Sequence, residues 1–303
     1  MNHFSRLIIL IFLFIQVLLT SCGANETSQN VSFDGNIAYQ YIEEQLQMGS
    51  RYPGSEGHES IRNWLSTNLD HYGWEIETNE KSEQPEVYNI IGHQNTSIEY
   101  WIMIGTHYDT RQFSDEEADI SRQALPVMGA NDGASGTAVL MALAKNDFDS
   151  LQCHLSIAFF DMEDQGHIDE QTWSYGAYYF VSSHEDLPDE VIIIDMIGDK
   201  GLEIFKEKNS TDWLADAIWK SAWEVGGEDH FPNQYKYSMI DDHLPFSQVG
   251  VPTALLIDFD YPYWHTNDDT IEHVSADSLE IIGNTLINYL STHPICNPVN
   301  NEQ

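Results

Sequence analysis

The sequence predicts a single α/β domain in which a central mixed, mostly parallel sheet is flanked by helices on both faces. Segments with apolar residues at helical spacing alternate along the chain with short apolar runs of strand length. Two of these runs, residues 155–160 and 191–194, are apolar almost throughout, which is typical of central strands buried on both faces. The 303 residues, of which 42% are hydrophobic, are enough to build one sizeable core.

The amino-terminal part of the domain is predicted to contain two helices followed by three strands. Asp34 can cap a first helix that ends at Gly49, and a second helix follows the turn at residues 53–55 and is stopped by Gly73. Both helices carry apolar residues at a spacing of three and four positions. The strand candidates are residues 74–78, 87–92 and 100–105.

The alternation of helices and strands continues to the carboxyl terminus. Residues 133–145 are predicted to form a buried helix, because small and apolar side chains line it. After the two central strands come a helix at 213–225, a strand at 253–257 and a closing helix at 276–290. The loop at residues 111–123 is polar and acidic, and we expect it to be solvated.

Residues 1–21 are predicted to be a lipoprotein signal peptide. Arg6 precedes an apolar stretch that is too short for a comfortable transmembrane span of about 20 residues. The stretch ends in Leu19-Thr20-Ser21-Cys22, which resembles the bacterial lipoprotein cleavage box, so we expect Cys22 to be lipidated. An uncleaved membrane anchor is the alternative. Gly23 directly after the cysteine is compatible with sorting to the outer membrane.

These features predict an exported lipoprotein of the bacterial cell envelope, at the outer membrane or in the periplasm. Once Cys22 is assigned to the lipid, Cys153 and Cys296 remain, and an exported compartment permits a disulfide between them. Two cysteines this far apart in sequence are more often unpaired, so the sequence favours free thiols and leaves the bridge open. The expected organisation is a tether at residues 22–33, the folded domain at 34–293 and a tail at 294–303.

The chain is strongly acidic. Lys and Arg number 12 against 49 Asp and Glu, which gives a formal net charge of -37 at pH 7. Charged residues make up 20% of the chain, so the imbalance comes mainly from missing cations. This composition argues against DNA or RNA as partners, because phosphate binding needs clustered cations, and against charge-driven docking on anionic lipid. A lipid anchor is therefore the only expected link to a membrane.

Polar residues recur at one place in the predicted fold, directly after the strands. The carboxyl ends of parallel strands meet at one edge of a sheet, and ligands bind there, so these side chains are expected to form one site. Taken alone, Asp132 could simply cap a helix. Asp195 is harder to explain, since a carboxylate that ends an Ile-rich strand needs a partner. The candidates are His107, Asp109, Asp132, Glu163, Asp164, Asp195 and His265.

The residue types in this set point to metal chemistry. His together with Asp or Glu is the ligand set that zinc takes at catalytic sites, where one position stays open for water or substrate. Independent segments of the chain deliver these residue types to the same edge, so the sequence predicts a catalytic zinc site. One zinc ion is expected, and the residue types present do not exclude two.

Four motifs carry a resemblance to a known group of enzymes. As a set and in this order, they resemble the zinc aminopeptidases and their relatives, the glutaminyl cyclases, over residues 35–293. The resemblance implies the fold of the zinc exopeptidases, also described as phosphorylase/hydrolase-like. The motifs are GTHYD at residues 105–109, GANDGASG at 129–136, FFDMED at 159–164 and HTNDDT at 265–270.

Several features favour the cyclase branch and its bacterial members. Trp264 directly before His265 resembles the tryptophan that lines the substrate site of the cyclases. The segment Asp241-Asp242-His243 resembles a cyclase segment whose first position is usually not acidic in aminopeptidases. The segments at 172–176 and 194–198, and the Glu163-Asp164 pair, are also similar to the bacterial cyclases.

The resemblance implies a reaction and a role for each residue of the site. The implied reaction is zinc-dependent cyclisation of N-terminal glutamine in peptides and proteins to pyroglutamate, with release of ammonia. The implied roles are zinc binding by Asp132, Asp164 and His265, acid/base catalysis by Glu163, a hydrogen-bonded acidic pair of Asp195 and Asp241 beside it, and a pocket wall at Trp264.

Two other functions remain open. An aminopeptidase holds a second metal where His107 and Asp195 stand here, and both residue types are suitable ligands. Removal of N-terminal residues from peptides is therefore the alternative reaction, although Asp241 would have no evident role in it. A peptide-binding protein without activity would be favoured by loss of Glu163 or of a zinc ligand, but every one of these positions is filled.

Overall fold

The structure is a computed structural model, and it describes residues 33–297. The predicted signal peptide at residues 1–21, Cys22 with its predicted lipid and most of the predicted tether lie outside the described residues. Positions 298–303 of the predicted tail lie outside them as well. In the described part of the chain, no helix is long and apolar enough to cross a membrane.

A mixed sheet of six strands forms the centre of residues 33–297. Its strands are β1 Glu75–Lys81, β2 Val87–Gln94, β3 Trp101–His107, β4 His154–Phe160, β5 Glu190–Asp195 and β6 Thr253–Ile257. They lie in the order β1-β2-β4-β3-β5-β6. The strands β3, β4, β5 and β6 run parallel, while β2 pairs antiparallel with both β4 and β1. The four parallel strands therefore end at the same edge of the sheet.

Helices cover both faces of this sheet. They are α1 Gly35–Gln47, α2 Glu56–His71, α3 Ala134–Leu143, α4 Tyr175–Ser183, α5 Asp212–Glu224, α6 His243–Gln248 and α7 Ala276–Thr292. Alternate side chains of the central strands enter two separate cores. Ile192 and Ile194 of β5 pack in the core formed with α1, α2, α3, α5 and α7. Val191 and Ile193 pack on the opposite face, in the core formed with α4 and α6.

The predicted fold class is confirmed, and each predicted helix and strand is present with small shifts at its ends. Asp34 caps α1, because its side chain accepts a hydrogen bond from the backbone N–H of Asn36 at 2.9 Å. Two helices were not predicted. The helix α4 consists largely of aromatic, serine and β-branched residues, which have low helix propensity, and α6 is only six residues long and contains Pro245.

The structure corrects the expectation of free thiols, because Cys153 and Cys296 form a disulfide. Cys153 directly precedes β4, and Cys296 follows α7. The two segments meet in space, where the backbone N–H of Gln152 donates to the carbonyl of Cys296 at 2.7 Å. The cysteines lie 143 positions apart in sequence, and this separation conceals a proximity that only the folded chain creates.

Candidate active site

The carboxyl edge of the parallel strands gathers most of the predicted site residues. His107 is the last residue of β3 and Asp195 is the last residue of β5, while Asp164 follows β4 and His265 follows β6. Asp132 lies in the turn that opens α3, a helix that packs on β3 and β5. All five side chains are buried. Five segments that are distant in sequence thus converge on one small volume.

Asp132, Asp164 and His265 form a cluster that fits a metal ion. Each offers a ligand atom within 4.8 Å of the others. Nε2 of His265 lies 2.7 Å from Oδ1 of Asp164 and 3.6 Å from Oδ2 of Asp132. The Oδ2 atoms of both aspartates are buried without a hydrogen-bond partner, which is costly unless a cation compensates them. Two carboxylates and one imidazole are a donor set that zinc accepts.

Asp269 holds the turn that presents Asp132. Its carboxylate accepts hydrogen bonds from the backbone N–H groups of Asn131 at 2.8 Å and Asp132 at 3.1 Å, and from the hydroxyl of Tyr261 at 2.7 Å. Gly133 follows with a φ of 87°, and a Cβ there would lie 2.5 Å from the carbonyl oxygen of Asp109. Glycine at position 133 is therefore required by its positive φ and by the close approach of two backbones.

Asp109 fixes the turn after β4 in a similar way. Its carboxylate accepts hydrogen bonds from the backbone N–H of Glu163 at 3.1 Å, from that of Asp164 at 3.3 Å and from the side chain of Gln165 at 2.9 Å. Met162 in this turn has a φ of 59°, in the left-handed region that non-glycine residues rarely adopt. Strained backbone of this kind is concentrated at functional sites, where surrounding contacts hold it in place.

His107 connects a second group of possible ligands. Its Nε2 lies 3.0 Å from Oδ1 of Asp195 and 3.3 Å from Oδ1 of Asp132, and its Nδ1 lies 3.1 Å from the carbonyl oxygen of Asp109. Burial opposes a charge on His107, but these carboxylates and that of Asp109 raise its pKa well above the usual value. His107, Asp132 and Asp195 also lie close enough together to hold a metal ion.

A pocket of about 330 Å³ opens beside the two clusters. Besides the predicted residues, Trp173, Met239 and Phe259 line it. Trp264 stacks on His265, with 3.8 Å between the ring centroids and 24° between the planes. A larger polar groove of about 540 Å³ lies elsewhere on the surface, but none of the predicted site residues lines it. The predicted site residues that line the smaller pocket are Asp132, Glu163, Asp164, Asp195, Asp241 and Trp264.

The pocket is electrostatically crowded with carboxyl groups. Burial raises the pKa of Glu163 well above its usual value; His107 opposes the increase, while Asp241 adds to it. Burial, followed by the negative charge of Asp195, raises the pKa of Asp241 to about 7. The hydroxyl of Ser174 donates to Oε1 of Glu163 at 3.1 Å and orients that carboxyl group. The site can therefore hold and move protons.

The loop at residues 111–123 is solvated only in part, because seven of its residues are exposed and three are buried. Arg111, Ser114 and Glu117 in this loop are buried, at 3%, 0% and 8% exposure. The physical reason is that the loop packs against the segment that carries His265. The carboxylate of Glu117, for example, accepts a hydrogen bond from the backbone N–H of Asn267 at 3.2 Å.

Comparison with known proteins agrees with this geometry. The family model of peptidase family M28 matches residues 88–290, which contain every strand of the sheet except β1 and all of the candidate site. The chain belongs to peptidase family M28. Within that family, its similarity to individual proteins extends beyond the matched segment.

Three proteins illustrate the similarity. The glutaminyl-peptide cyclotransferase of Bos taurus is 26% identical over 282 residues, which cover 78% of this chain and 76% of the bovine protein. The crystal structure of Tannerella forsythia glutaminyl cyclase superposes with a TM-score of 0.80 at 27% identity, covering 86% of this chain and 99% of the other. A leucine aminopeptidase precursor from Bacteroides thetaiotaomicron superposes with a TM-score of 0.81 at 26% identity, covering 86% and 98%. The predicted resemblance to bacterial glutaminyl cyclases is confirmed.

Sequence reasoning missed the supporting roles of three residues of this M28 site. Asp269 and Trp173 lie inside motifs that carry the resemblance, but the sequence assigns neither of them a role. Trp173 lines the pocket and stacks on His265 at 5.8 Å and 22°. The sequence places Arg111 only in a loop that is expected to be solvated. A cation that interrupts an acidic loop, two residues after His107-Tyr108-Asp109, was the signal that could have identified it.

Proposed function

We propose that the protein is a zinc-dependent glutaminyl-peptide cyclotransferase, which converts N-terminal glutamine of peptides and proteins to pyroglutamate and releases ammonia. The observation that carries the proposal is that buried Asp241 shares one pocket with Glu163, Asp195 and Trp264. Hydrolysis of a peptide bond gives Asp241 no evident task. The glutaminyl cyclases and cyclotransferases among the similar proteins support the same reaction.

One zinc ion would be held by Asp132, Asp164 and His265. Their donor atoms converge, and two of the buried carboxylate oxygens have no other partner. When bound there, zinc supplies Lewis-acid polarisation of the substrate's γ-carboxamide. The remaining chemistry is proton transfer and positioning, for which the pocket has its own groups.

Glu163 is proposed to move the proton. In the cyclisation, the α-amino nitrogen of the substrate attacks its own γ-carboxamide carbon, and the bond from that carbon to the carboxamide nitrogen breaks. The attacking nitrogen loses a proton, and the leaving nitrogen gains one as it departs as ammonia. One carboxyl group that reaches both nitrogens can carry this proton. Ser174 holds Oε1 of Glu163 in place for that task.

Asp195, Asp241 and Trp264 are proposed to position the substrate. Two carboxyl groups that lie close together resist joint ionisation and can share one proton, which leaves a hydrogen-bond donor in the pocket. Asp195 also accepts from His107, which fixes its orientation. The flat indole of Trp264, stacked on His265, forms a wall that keeps the glutamine side chain folded for ring closure.

An aminopeptidase with two metal ions is the second candidate. The observation in its favour is that His107, Asp132 and Asp195 also converge closely enough to hold an ion. In that reaction Glu163 would activate water, and a free first residue would leave the peptide. The leucine aminopeptidase precursor among the similar structures is consistent with it.

Ammonia release tests the proposal. Protein stripped of metal by a chelator and reloaded with zinc should release ammonia from a peptide that begins with Gln, but not from a matched peptide that begins with Asn. Glu163→Gln should lower the rate of ammonia release by about 100- to 10,000-fold, while the amount of bound zinc measured by atomic absorption stays unchanged. A Glu163→Gln variant with full turnover would exclude this residue as the acid/base.

We further propose that residues 1–21 are removed and that a lipid on Cys22 anchors the domain at residues 34–293 to the cell envelope. The support is the apolar stretch that ends in Leu19-Thr20-Ser21-Cys22. Expression of the full chain in a Gram-negative bacterium with a labelled fatty acid should give a labelled protein. Cys22→Ser should abolish the label, and a label that persists in this variant would contradict the proposal.

A further inference from the structure

We propose that Arg111 is a positioning residue that holds two zinc ligands, Asp164 and His265, and the pocket wall at Trp173 through a single guanidinium group. The inference rests on the proposed function only in that a metal ion binds at Asp132, Asp164 and His265. It assigns to Arg111 a task that is independent of which reaction the metal serves.

The first contact of Arg111 is with the turn that carries Asp164. Its Nη1 donates to the carbonyl oxygen of Asp164 itself at 3.0 Å and to that of Gly166 at 2.9 Å. Two hydrogen bonds from one nitrogen bridge the backbone on both sides of Gln165. The backbone position of the ligand is thereby tied to the guanidinium group.

The second contact reaches His265 through a carboxylate. Nε of Arg111 donates to Oδ1 of Asp115 at 3.1 Å, and Nη2 donates to Oδ2. Oδ1 of Asp115 lies 3.4 Å from Nδ1 of His265, whose Nε2 faces the metal cluster. A carboxylate beside the outer nitrogen of a metal-binding histidine sets the orientation of the ring. Arg111 holds that carboxylate from the other side.

The third contact is with the wall of the pocket. Cζ of Arg111 lies 4.8 Å from the centre of the Trp173 ring, and that ring stacks on His265. The guanidinium group thus donates hydrogen bonds through Nη1 to the Asp164 turn and through Nε and Nη2 to Asp115, which lies beside His265. The face of its plane contacts the indole of Trp173. Lysine offers one point charge and no planar fork, so it could not make these contacts together.

The burial of Arg111 separates this role from an ordinary surface ion pair. Arg111 is 3% exposed, whereas the side chain of Asp115 is 44% exposed. A half-exposed carboxylate alone is weak compensation for burying a guanidinium group. The backbone carbonyls of the Asp164 turn and the ring of Trp173 supply the remaining compensation for the buried charge. All of these groups belong to the site.

Zinc affinity of the variants tests the inference. Arg111→Met and Arg111→Lys should each weaken zinc binding by about 10- to 100-fold in competition with a chromophoric chelator, because loss of an outer partner of a metal ligand has effects of this size. Asp115→Asn should weaken zinc binding as well, because it removes the carboxylate that orients His265. The kcat of zinc-saturated Arg111→Lys should fall more than its KM rises, since the ligands and Trp173 are misplaced.

Lys206→Met is the matched control. Lys206 is also 3% exposed, pairs with the exposed Asp216 and lies 5.8 Å from the ring of Trp219, but it touches none of the site residues. The Lys206→Met substitution should lower the melting temperature and leave the zinc affinity unchanged. The inference is overturned if folded Arg111→Lys and Asp115→Asn bind zinc as tightly as the unaltered protein does. If the protein proves to be an aminopeptidase, the zinc result stands, and only the proposed reaction fails.

Discussion

Burial determines what each carboxyl group of the site can do. Glu163 and Asp241 are both buried, and burial is the largest cause that raises the pKa of each. A carboxyl group that keeps its proton can donate a hydrogen bond, which a carboxylate cannot. The same pocket therefore offers donors and acceptors to a substrate that must lose one proton and gain another.

Replacing Asp241 tests the cyclase assignment at a single residue. We expect Asp241→Asn to lower the rate of cyclisation by about 100-fold, as removal of one positioned donor from an active site does. The rate of ammonia release from a Gln-initiated peptide measures it. Asp258→Asn is the control, because Asp258 is equally buried but accepts hydrogen bonds from the backbone of Glu203 and Asp260 outside the pocket. Full activity of Asp241→Asn would remove the main support for cyclisation.

The sequence could predict the residues that a parallel sheet delivers to its own edge. His107 and Asp195 end their strands, and Asp164 lies four positions after β4, so the spacing along the chain is enough to predict them. Asp269 and Arg111 could not be given their tasks in the same way. The backbone groups that they bind lie more than 50 positions away, and such contacts exist only once the loops are folded over one another.

At the scale of elements, the helix α4 links the edge of the sheet to the site. Ser174, which orients Glu163, directly precedes this helix. Its other end is fastened to β1, because Nε2 of His184 lies 2.8 Å from Oε1 of Glu77. The composition of α4 gave no helical signal. It is stabilised by tertiary packing, with Ala177 and Phe180 buried in one of the two cores.

The pair of Glu77 and His184 gives α4 a defined pH dependence. Hydrogen bonds with His184 and, second, with His93 lower the pKa of Glu77 from 4.5 to about 2, and the contact with Glu77 raises the pKa of His184 above 6.5. The contribution of Glu77 to folding is present above pH 4.5 and is lost as pH falls toward about 2. That of His184 is present below pH 6.5 and is lost as pH rises through its higher folded value.

Glu77→Gln should therefore lower the melting temperature most between pH 4.5 and 6.5, where both partners are charged. The free energy of unfolding should fall by less than about 1 kcal/mol, because the ion pair is partly exposed to solvent. Differential scanning calorimetry of the two proteins over a pH series measures it. A difference that does not vary with pH would show that the ion pair does not fasten α4.

At the scale of the whole molecule, the net charge of -37 acts on the substrate. Few of the 49 acidic residues lie in the site, so most of the charge is a property of the molecule as a whole. A negative field attracts ammonium termini, and it also holds the proton on an α-amine whose reference pKa is about 7.7. Cyclisation needs the neutral amine, so the field both gathers the substrate and opposes its reaction.

Salt concentration should therefore shift the dependence of the cyclisation rate on pH. Activity is expected to rise on the alkaline side, and higher ionic strength should shift that limb toward lower pH, because the screening length falls from about 10 Å at 0.1 M to about 3 Å at 1 M. Initial rates on a neutral Gln-initiated peptide at low and high NaCl measure the shift. A limb that stays in place would mean that the field of the molecule does not reach the substrate amine.

We propose that this M28 domain cyclises N-terminal glutamine and does not hydrolyse the peptide bond. The most direct test is the intact mass of a Gln-initiated peptide after incubation with the zinc-loaded protein. We expect a product lighter by the mass of one ammonia molecule, with every residue of the peptide retained. A peptide shortened by its first residue, together with free glutamine, would contradict it.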